Sequence, residues 1–268
     1  MMTIDLLSLE AIRHGLTGRT VGAHIYLYGE VDSTNAKLRA LARRGAADGT
    51  VVLAESQTAA RGRRGAAWFS PPGVNVYASV LFRPAIAARE LGVFTFVASL
   101  AMADAVKDHG GVPAIKWPND VLVNGRKIGS ALVEATLRGD AVDHVIVGIG
   151  VNLNVEPADL RAALGPAGRF ATSLAEECGH SIDRNAFTVS YLNHLERWVA
   201  TWRTEGAAEI LAAWRGRDIL TGRRVEIRGS GVPFEGRVLD VDATGALVVL
   251  DTLGGRHAVT AGDVRILD

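Results

Sequence analysis

The sequence predicts an α+β protein in two unequal parts, a large one mixing strands with helices and a small all-β one at the C-terminus. Two patterns and one size argument lead there. Up to about residue 217, stretches of period-two alternation exchange with stretches of helical period; after it, short alternating strands are separated by glycine turns. At 268 residues one large domain, or one domain plus a small satellite, is the natural expectation, because single cores rarely grow much beyond roughly 250 residues, and the change of pattern favours the second. The expected domains are therefore 1–217 and 218–268.

Residues 24–31, HIYLYGEV, alternate as a half-buried strand does. Asp32 or Ser33 can then cap a helix with Leu38, Leu41 and Ala42 on its apolar side and Gly45 at its end. TVVLAE at 50–55 and NVYASVLF at 75–82 read as strands, and the arginine- and glycine-rich segment between them is expected to be irregular. Leu91, Phe94, Val97, Ala98, Ala101 and Ala105 predict an amphipathic helix over 89–108. KWPND follows, with Pro118 biasing Trp117 away from helical geometry and Lys116 at a strand entrance, or as a plain polar turn between a helix and a strand. RKIGSALVEA and HVIVGIGVNLN predict two strands joined by a tight turn near Arg138, Gly139 and Asp140. Residues 157–216 read as helical, with Trp198, Trp202 and Trp214 as core aromatics. Five short strands then follow, RRVEIR, FEGRVLDV, ALVVL, RHAVT and VRIL, with turns at Gly229 to Gly231, Thr244-Gly245 and Gly254-Gly255; that density predicts a small barrel.

Basic and acidic residues balance at 29 each, so no overall field draws the protein to nucleic acid or to an anionic membrane, and any anion site is local. Lysine is scarce: Lys37, Lys107, Lys116 and Lys127 stand among many arginines. Cys178 is the single cysteine, which excludes an internal disulfide and a cysteine-rich metal site and fits a reducing compartment; it reads as a small core residue. The N-terminus lacks the basic region and apolar stretch of a secretory signal, and no run approaches the roughly 18 apolar residues of a membrane helix. The expectation is a soluble, cytoplasmic protein.

Four segments carry chemistry. Arg61, Gly62, Arg63, Arg64 and Gly65, preceded by Gln57 and followed by Trp68, suit a core poorly but present guanidinium forks and closely approaching backbone N–H groups to a polyanion such as phosphate. A solvated basic loop, or one touching nucleic acid, is the plainer reading. Lys116, Asn119 and Asp120, with Lys127 eleven positions after Lys116, can meet a carboxylate or phosphate with a compact charge and hold Mg²⁺ through oxygens. A polar turn is the alternative there. Gly148 and Gly150, before Asn152, lie inside an apolar strand and imply close packing against its backbone. Ser33, Thr34 and Asn35 offer hydroxyl and amide groups at a strand-to-helix junction, where helix capping alone would also explain them.

Together, in this order, VDSTN at 31–35, RGRRG with Trp68-Phe69-Ser70-Pro71, KWPNDVLV, the RKI turn with LVE, GIGVNLN and ATSL at 171–174 resemble the biotin-protein ligase family. The resemblance runs from about Val31 to the C-terminus. It implies a central mixed β-sheet with packed helices, of the class II synthetase type, and an SH3-like barrel. It also implies an enzyme that joins biotin to ATP as biotinyl-5'-AMP, with Mg²⁺, and passes the biotin to a lysine of a biotin carboxyl carrier domain of a carboxylase. By the same resemblance, Ser33, Thr34, Asn35 and Gln57 meet the ring end of biotin, while Arg61, Gly62 and Arg63 fold over the adenylate with Arg64 and Trp68 on the nucleotide. Lys127 sits by the biotin carboxylate and the phosphate, so Arg63 and Lys127 are the catalytic candidates. Lys116, Asn119, Asp120 and Asn152 hold ATP, the last three also its metal. A fragile mixed anhydride calls for a closing loop, so residues 60–70 are expected to order when adenylate binds.

Ala60 and Ser130 depart from the family pattern, which usually has glycine at both places. If either needed positive φ, a side chain would cost on the order of 1 kcal/mol. Three other readings follow. A catalytically weakened biotin-binding module would result if those departures abolished chemistry. A lipoate-type acyl ligase shares the general catalytic scheme, and RGRRG with KWPND argues for biotin. A DNA-binding repressor needs a module of roughly sixty residues ahead of the ligase; about thirty precede VDSTN, so no nucleic acid partner is expected. Exposed sheet edges are candidates for pairing with the carrier or with a second copy as a homodimer.

Overall fold

The computed structural model describes residues 6–229 and 231–268; residues 1–5 of the N-terminal segment and Ser230, inside the expected 229–231 turn, lie outside the described residues. Helix α1 (Leu9–Gly15) leads into strand β1 (Ile25–Val31), and Ser33 then caps α2 (Thr34–Arg43) by accepting from Ala36 N. Strands β2 (Val51–Gln57) and β3 (Val76–Phe82) flank the arginine-rich loop. Helix α3 (Gly92–Asp108) is buried along nearly its whole surface, not on one side only, because it runs through the middle of the core against the sheet and the later helices.

The KWPND segment is not a plain turn between a helix and a strand. Lys116 ends strand β4 (Pro113–Lys116) and Asp120 begins β5 (Asp120–Val123), so the motif is the tip of a hairpin whose Trp117–Pro118 peptide is cis. Four-residue strands are too short to show a period, which is why the sequence leaves a plain turn open. The long hairpin β6 (Arg126–Arg138) and β7 (Ala141–Val151) turns where expected. Helices α4 (Pro157–Leu164), α5 (Leu174–Cys178), α6 (Arg184–Glu205) and α7 (Ala207–Arg215) fill the helical region. Trp214 is wholly buried, while Trp198 and Trp202 are partly buried against the core. Cys178 is half-buried rather than central.

Among the described residues the first sheet has seven strands in the order β1-β2-β3-β7-β6-β5-β4. Only β1 and β2 run parallel there, so the sheet is mixed. Strands β8 (Arg224–Arg228), β9 (Phe234–Val241), β10 (Leu247–Asp251), β11 (Arg256–Val259) and β12 (Asp263–Ile266) form an antiparallel sheet in the order β11-β10-β9-β8-β12. Alternate residues of these strands, among them Val225, Ile227, Val238, Leu247 and Val249, face inward and are fully buried. The small sheet is tied to the large one: Ile219 N donates to Ile115 O at 3.1 Å, and Trp117 Nε1 donates to Gly245 O at 2.9 Å. No helix among the described residues is long and apolar enough to cross a membrane.

Candidate active site

The Ser33 cap and first turn of α2, the C-terminal end of β2 and the loop after it, the middle of β6 and the C-terminal part of β7 converge on a slot of about 40 Å³. Thr34, Asn35, Gln57, Ala60, Arg61 and Gly148 are among its walls. Its polar end is tightly wired. Gln57 Oε1 accepts from Thr34 N at 2.9 Å and Gln57 Nε2 donates to Ser70 Oγ at 3.2 Å. Asn35 Oδ1 accepts from Ser79 Oγ at 2.6 Å, and Ser79 Oγ is 2.8 Å from Thr34 Oγ1. Ser79 is wholly buried in β3, and nothing in its sequence neighbourhood marks it, since it sits in an otherwise ordinary strand.

The glycines of β7 are explained by what packs on them. A β-carbon on Gly148 would overlap Asn35 Oδ1, and one on Gly150 would overlap the Trp68 indole. Close packing was expected of these positions, and the groups that approach are side chains of this chain. Trp68 Nε1 is buried and, among the described residues, has no hydrogen-bond partner. The Lys127 ammonium lies 5.3 Å from the centroid of the same ring, within cation–π range.

A second, larger cavity of about 750 Å³ adjoins the slot, and Gly62, Trp68 and Ser130 line both. Arg63, Lys116, Asn119, Asp120, Lys127 and Asn152 all line the larger one, so the structure brings these six together. Phe69, Leu160, Phe170, Val264 and Ile266 supply its apolar surface. Lys127 Nζ is 2.7 Å from Asp120 Oδ1, and Ser130 Oγ donates to the same oxygen at 2.8 Å. Asn119 is buried, with Nδ2 donating to Ser130 Oγ at 3.0 Å and to Ala131 O, while Oδ1 is left without a partner among the described residues.

Two cations here are partly stripped of water. Burial pulls Arg63 below the usual arginine range, against the opposing pull of Asp120 and Asp263. Burial likewise lowers Lys116, with Asp120 opposing and Lys127 adding to the shift. Desolvated positive charge attracts an anion more strongly than the same charge in water.

The arginine loop holds more order than the sequence suggests. Arg63–Gly65 form a 3₁₀ turn, Arg61 and Ala67 form an isolated bridge, and Gly62 N donates to Ala66 O at 2.7 Å. Arg64 adopts φ 57°, and its guanidinium pairs with Asp263 rather than lining either cavity. Ala60 and Ser130 do not adopt positive φ, so neither departure from glycine carries that strain.

An amide-and-hydroxyl slot thus opens beside desolvated cations, an arrangement suited to holding a polar group next to an anion. Residues 28–152 match the biotin/lipoate A/B protein ligase family, and residues 220–266 match the biotin protein ligase C-terminal domain. The chain is 37% identical to the biotin–[acetyl-CoA-carboxylase] ligase of Paracoccus denitrificans over 87% of this chain and 96% of that one. It is 33% identical to the bifunctional ligase/repressor BirA of Bacillus subtilis over 97% of this chain and 79% of that one. In structure it resembles the Aquifex aeolicus biotin protein ligase solved with biotin and ATP, with TM-score 0.77, 24% identity and coverage of 91% and 99%. The Leishmania major enzyme with biotinyl-5-AMP gives TM-score 0.60 at 25% identity, covering 89% and 99%. The chain belongs to the biotin protein ligase family.

Proposed function

We propose that this protein condenses biotin with ATP to biotinyl-5'-AMP, releasing pyrophosphate, and then transfers the biotinyl group to a lysine of a carboxylase's biotin carrier domain. The observation that carries this is the junction of two cavities, a small polar slot and a large cationic one, at Gly62, Trp68 and Ser130. The ring of biotin would occupy the slot, with hydrogen bonds to Thr34, Asn35 and Gln57 under Ser33. Its carboxylate would then emerge at the junction, beside Lys127. ATP would occupy the large cavity, with Arg63 and Lys116 on its phosphates and Arg61 closing over the slot.

Attack of a carboxylate on the α-phosphate brings two anions together, so positioning and charge neutralisation are the enzyme's main task. Lys127 and Arg63 serve it by holding the two reacting groups at one place. No nucleophile of the enzyme is needed, since the biotin carboxylate is itself the nucleophile and pyrophosphate the leaving group. In the second half-reaction the lysine amine attacks the acyl carbon and AMP departs.

Mg²⁺ fits this site. Asn119 Oδ1 is a buried oxygen without a partner among the described residues, the Asp120 carboxylate lies beside it in sequence, and Asn152 lines the same cavity. Mg²⁺ is commonly held by one or two carboxylates together with substrate phosphates, and would supply charge neutralisation on those phosphates. Asn119, Asp120 and Asn152 would hold it.

The slot has room for a few waters as it stands, so a bicyclic ring enters as Trp68 lifts from Gly150. The hydroxyl- and amide-rich end supports a ureido ring over the apolar dithiolane of lipoate. Biotin-dependent exchange of labelled pyrophosphate into ATP tests the reading, with Arg63→Ala as the control expected to be impaired. Exchange supported equally by lipoate, or none with biotin, would overturn it.

A further inference from the structure

Asn35 and Arg39 stand one helical turn apart on α2 and so face the same way, over the middle of β6. A single carboxylate meets both: Arg39 Nη2 is 2.5 Å from Glu134 Oε1, and Asn35 Nδ2 donates to Glu134 Oε2 at 2.7 Å and, over a long 3.4 Å, to Leu132 O. Asn35 itself is 5% exposed, whereas the Arg39 and Glu134 side chains are each about a third exposed. The wiring has a consequence for the slot. The two ends of an amide are nearly the same size, and only hydrogen bonding decides which way it points. A carboxylate accepts and does not donate, so Glu134 holds the nitrogen end and turns Oδ1 toward Ser79 and the Gly148 backbone. One lone pair of Oδ1 takes the Ser79 proton. Among the described residues no other group donates to Oδ1, and Asn35 lines the slot, so the second lone pair is left for a ligand.

We infer that Glu134, braced by Arg39, is a positioning residue that locks the Asn35 amide with its oxygen toward the slot and so selects a ring that donates an N–H at that point. The inference rests on the biotin reading, since the ureido group carries two N–H donors and one carbonyl. Without the carboxylate only the long contact to Leu132 O holds the nitrogen end, so the amide can turn over, and the slot then offers a donor where the ureido also presents a donor.

The test uses the full-length protein and three ligands: biotin and the two cyclic carbamates in which one or the other ureido N–H is replaced by ring oxygen. Wild-type protein is expected to bind one carbamate about tenfold or more weakly than biotin, the loss that an unmet buried hydrogen bond brings. Glu134→Gln, whose amide can donate to a turned-over Asn35, is expected to lose about tenfold in biotin affinity. It should bind that carbamate within about twofold of wild type, with the KM for ATP unchanged. Arg39→Gln, which leaves the carboxylate unbraced, should show the same pattern at smaller amplitude. If Glu134→Gln weakened biotin and both carbamates evenly, the residue would be merely structural and the inference would fall. A wild-type protein that bound no biotin would overturn the functional reading and this inference with it, an outcome distinct from even loss in the variant alone.

Discussion

Arg64 Nη1 stands 2.8 Å from Asp263 Oδ2, and this contact ties the arginine loop to the first residue of β12 in the small sheet. Arg63 adds a second tie by donating Nη2 to Gly262 O at 3.2 Å. The loop that borders both cavities is thus fastened from outside the large sheet.

Both ends of the Arg64–Asp263 pair are more than half exposed, so it adds well under about 1 kcal/mol to stability. Its effect is local. Asp263→Asn is expected to leave the thermal midpoint within about 2 °C of wild type and to speed amide exchange at Arg63 to Ala66. Raising the salt on wild-type protein should act the same way. Biotin with ATP should slow exchange across 60–70 in both proteins. Exchange in the loop indifferent to Asp263, measured by mass spectrometry, would show that the tie does not hold it.

Lys127 reaches Asp120 and the Trp68 ring at once, which places its charge at the junction of slot and cavity. Lys127→Ala is expected to slow pyrophosphate exchange by about 10²–10³-fold, the usual cost of losing a fixed charge opposite a developing one. Lys127→Arg should restore little, because a planar fork does not substitute for a compact ammonium. Steady-state rates for the three proteins decide it; full activity in Lys127→Arg would mean that charge alone suffices.

Much of this site was legible in the chain. Ser33, Thr34 and Asn35 sit at a strand-to-helix junction that period and capping reveal, and the β6–β7 hairpin and the five C-terminal strands follow from alternation and glycine turns. The hairpin β4–β5 was not legible, since each strand spans barely one alternation. Nor was the Arg39–Glu134–Asn35–Ser79 chain, whose members come from α2, β6 and β3 and meet only once the sheet order is set. Glu134 stands in the LVE of a motif that sequence marks, but its partner does not show there. Gly148 and Gly150 signalled close packing without saying that Asn35 and Trp68 do the packing.

Ser130 gives a different sort of prediction, because its hydroxyl links Asn119 Nδ2 to Asp120 Oδ1. Ser130→Ala removes both bonds without altering the strand. The KM for ATP is expected to rise about three- to tenfold, since a hydrogen bond to an amide contributes about 1 kcal/mol and one to a carboxylate somewhat more, and the KM for biotin should stay put. Ser130→Gly should act in the same direction and somewhat more strongly, as glycine loosens a strand. Tighter biotin binding in either variant, with ATP unaffected, would show instead that the side chain crowds the slot.

Lys116 links the site to pH. Its ammonium is held below the ordinary lysine value of 10.5 chiefly by burial, with Asp120 opposing and Lys127 adding to the depression. Between the folded value and 10.5 the unfolded chain binds the proton and the folded chain does not, so stability rises as pH climbs through that window. Below the window both forms are protonated and the folded protein bears the full cost of a buried charge. Lys116→Met should therefore be more stable than wild type at pH 7, by about 0.5–1 kcal/mol, with the gap closing toward pH 10.5. The same variant should bind ATP more weakly, because a desolvated ammonium is what a phosphate neutralises. Urea unfolding of both proteins at neutral and alkaline pH, beside nucleotide titration, checks the pair of effects. A variant less stable at pH 7 would mean that Asp120 more than compensates for the burial of Lys116, and that the charge is held for the fold as well as for the nucleotide.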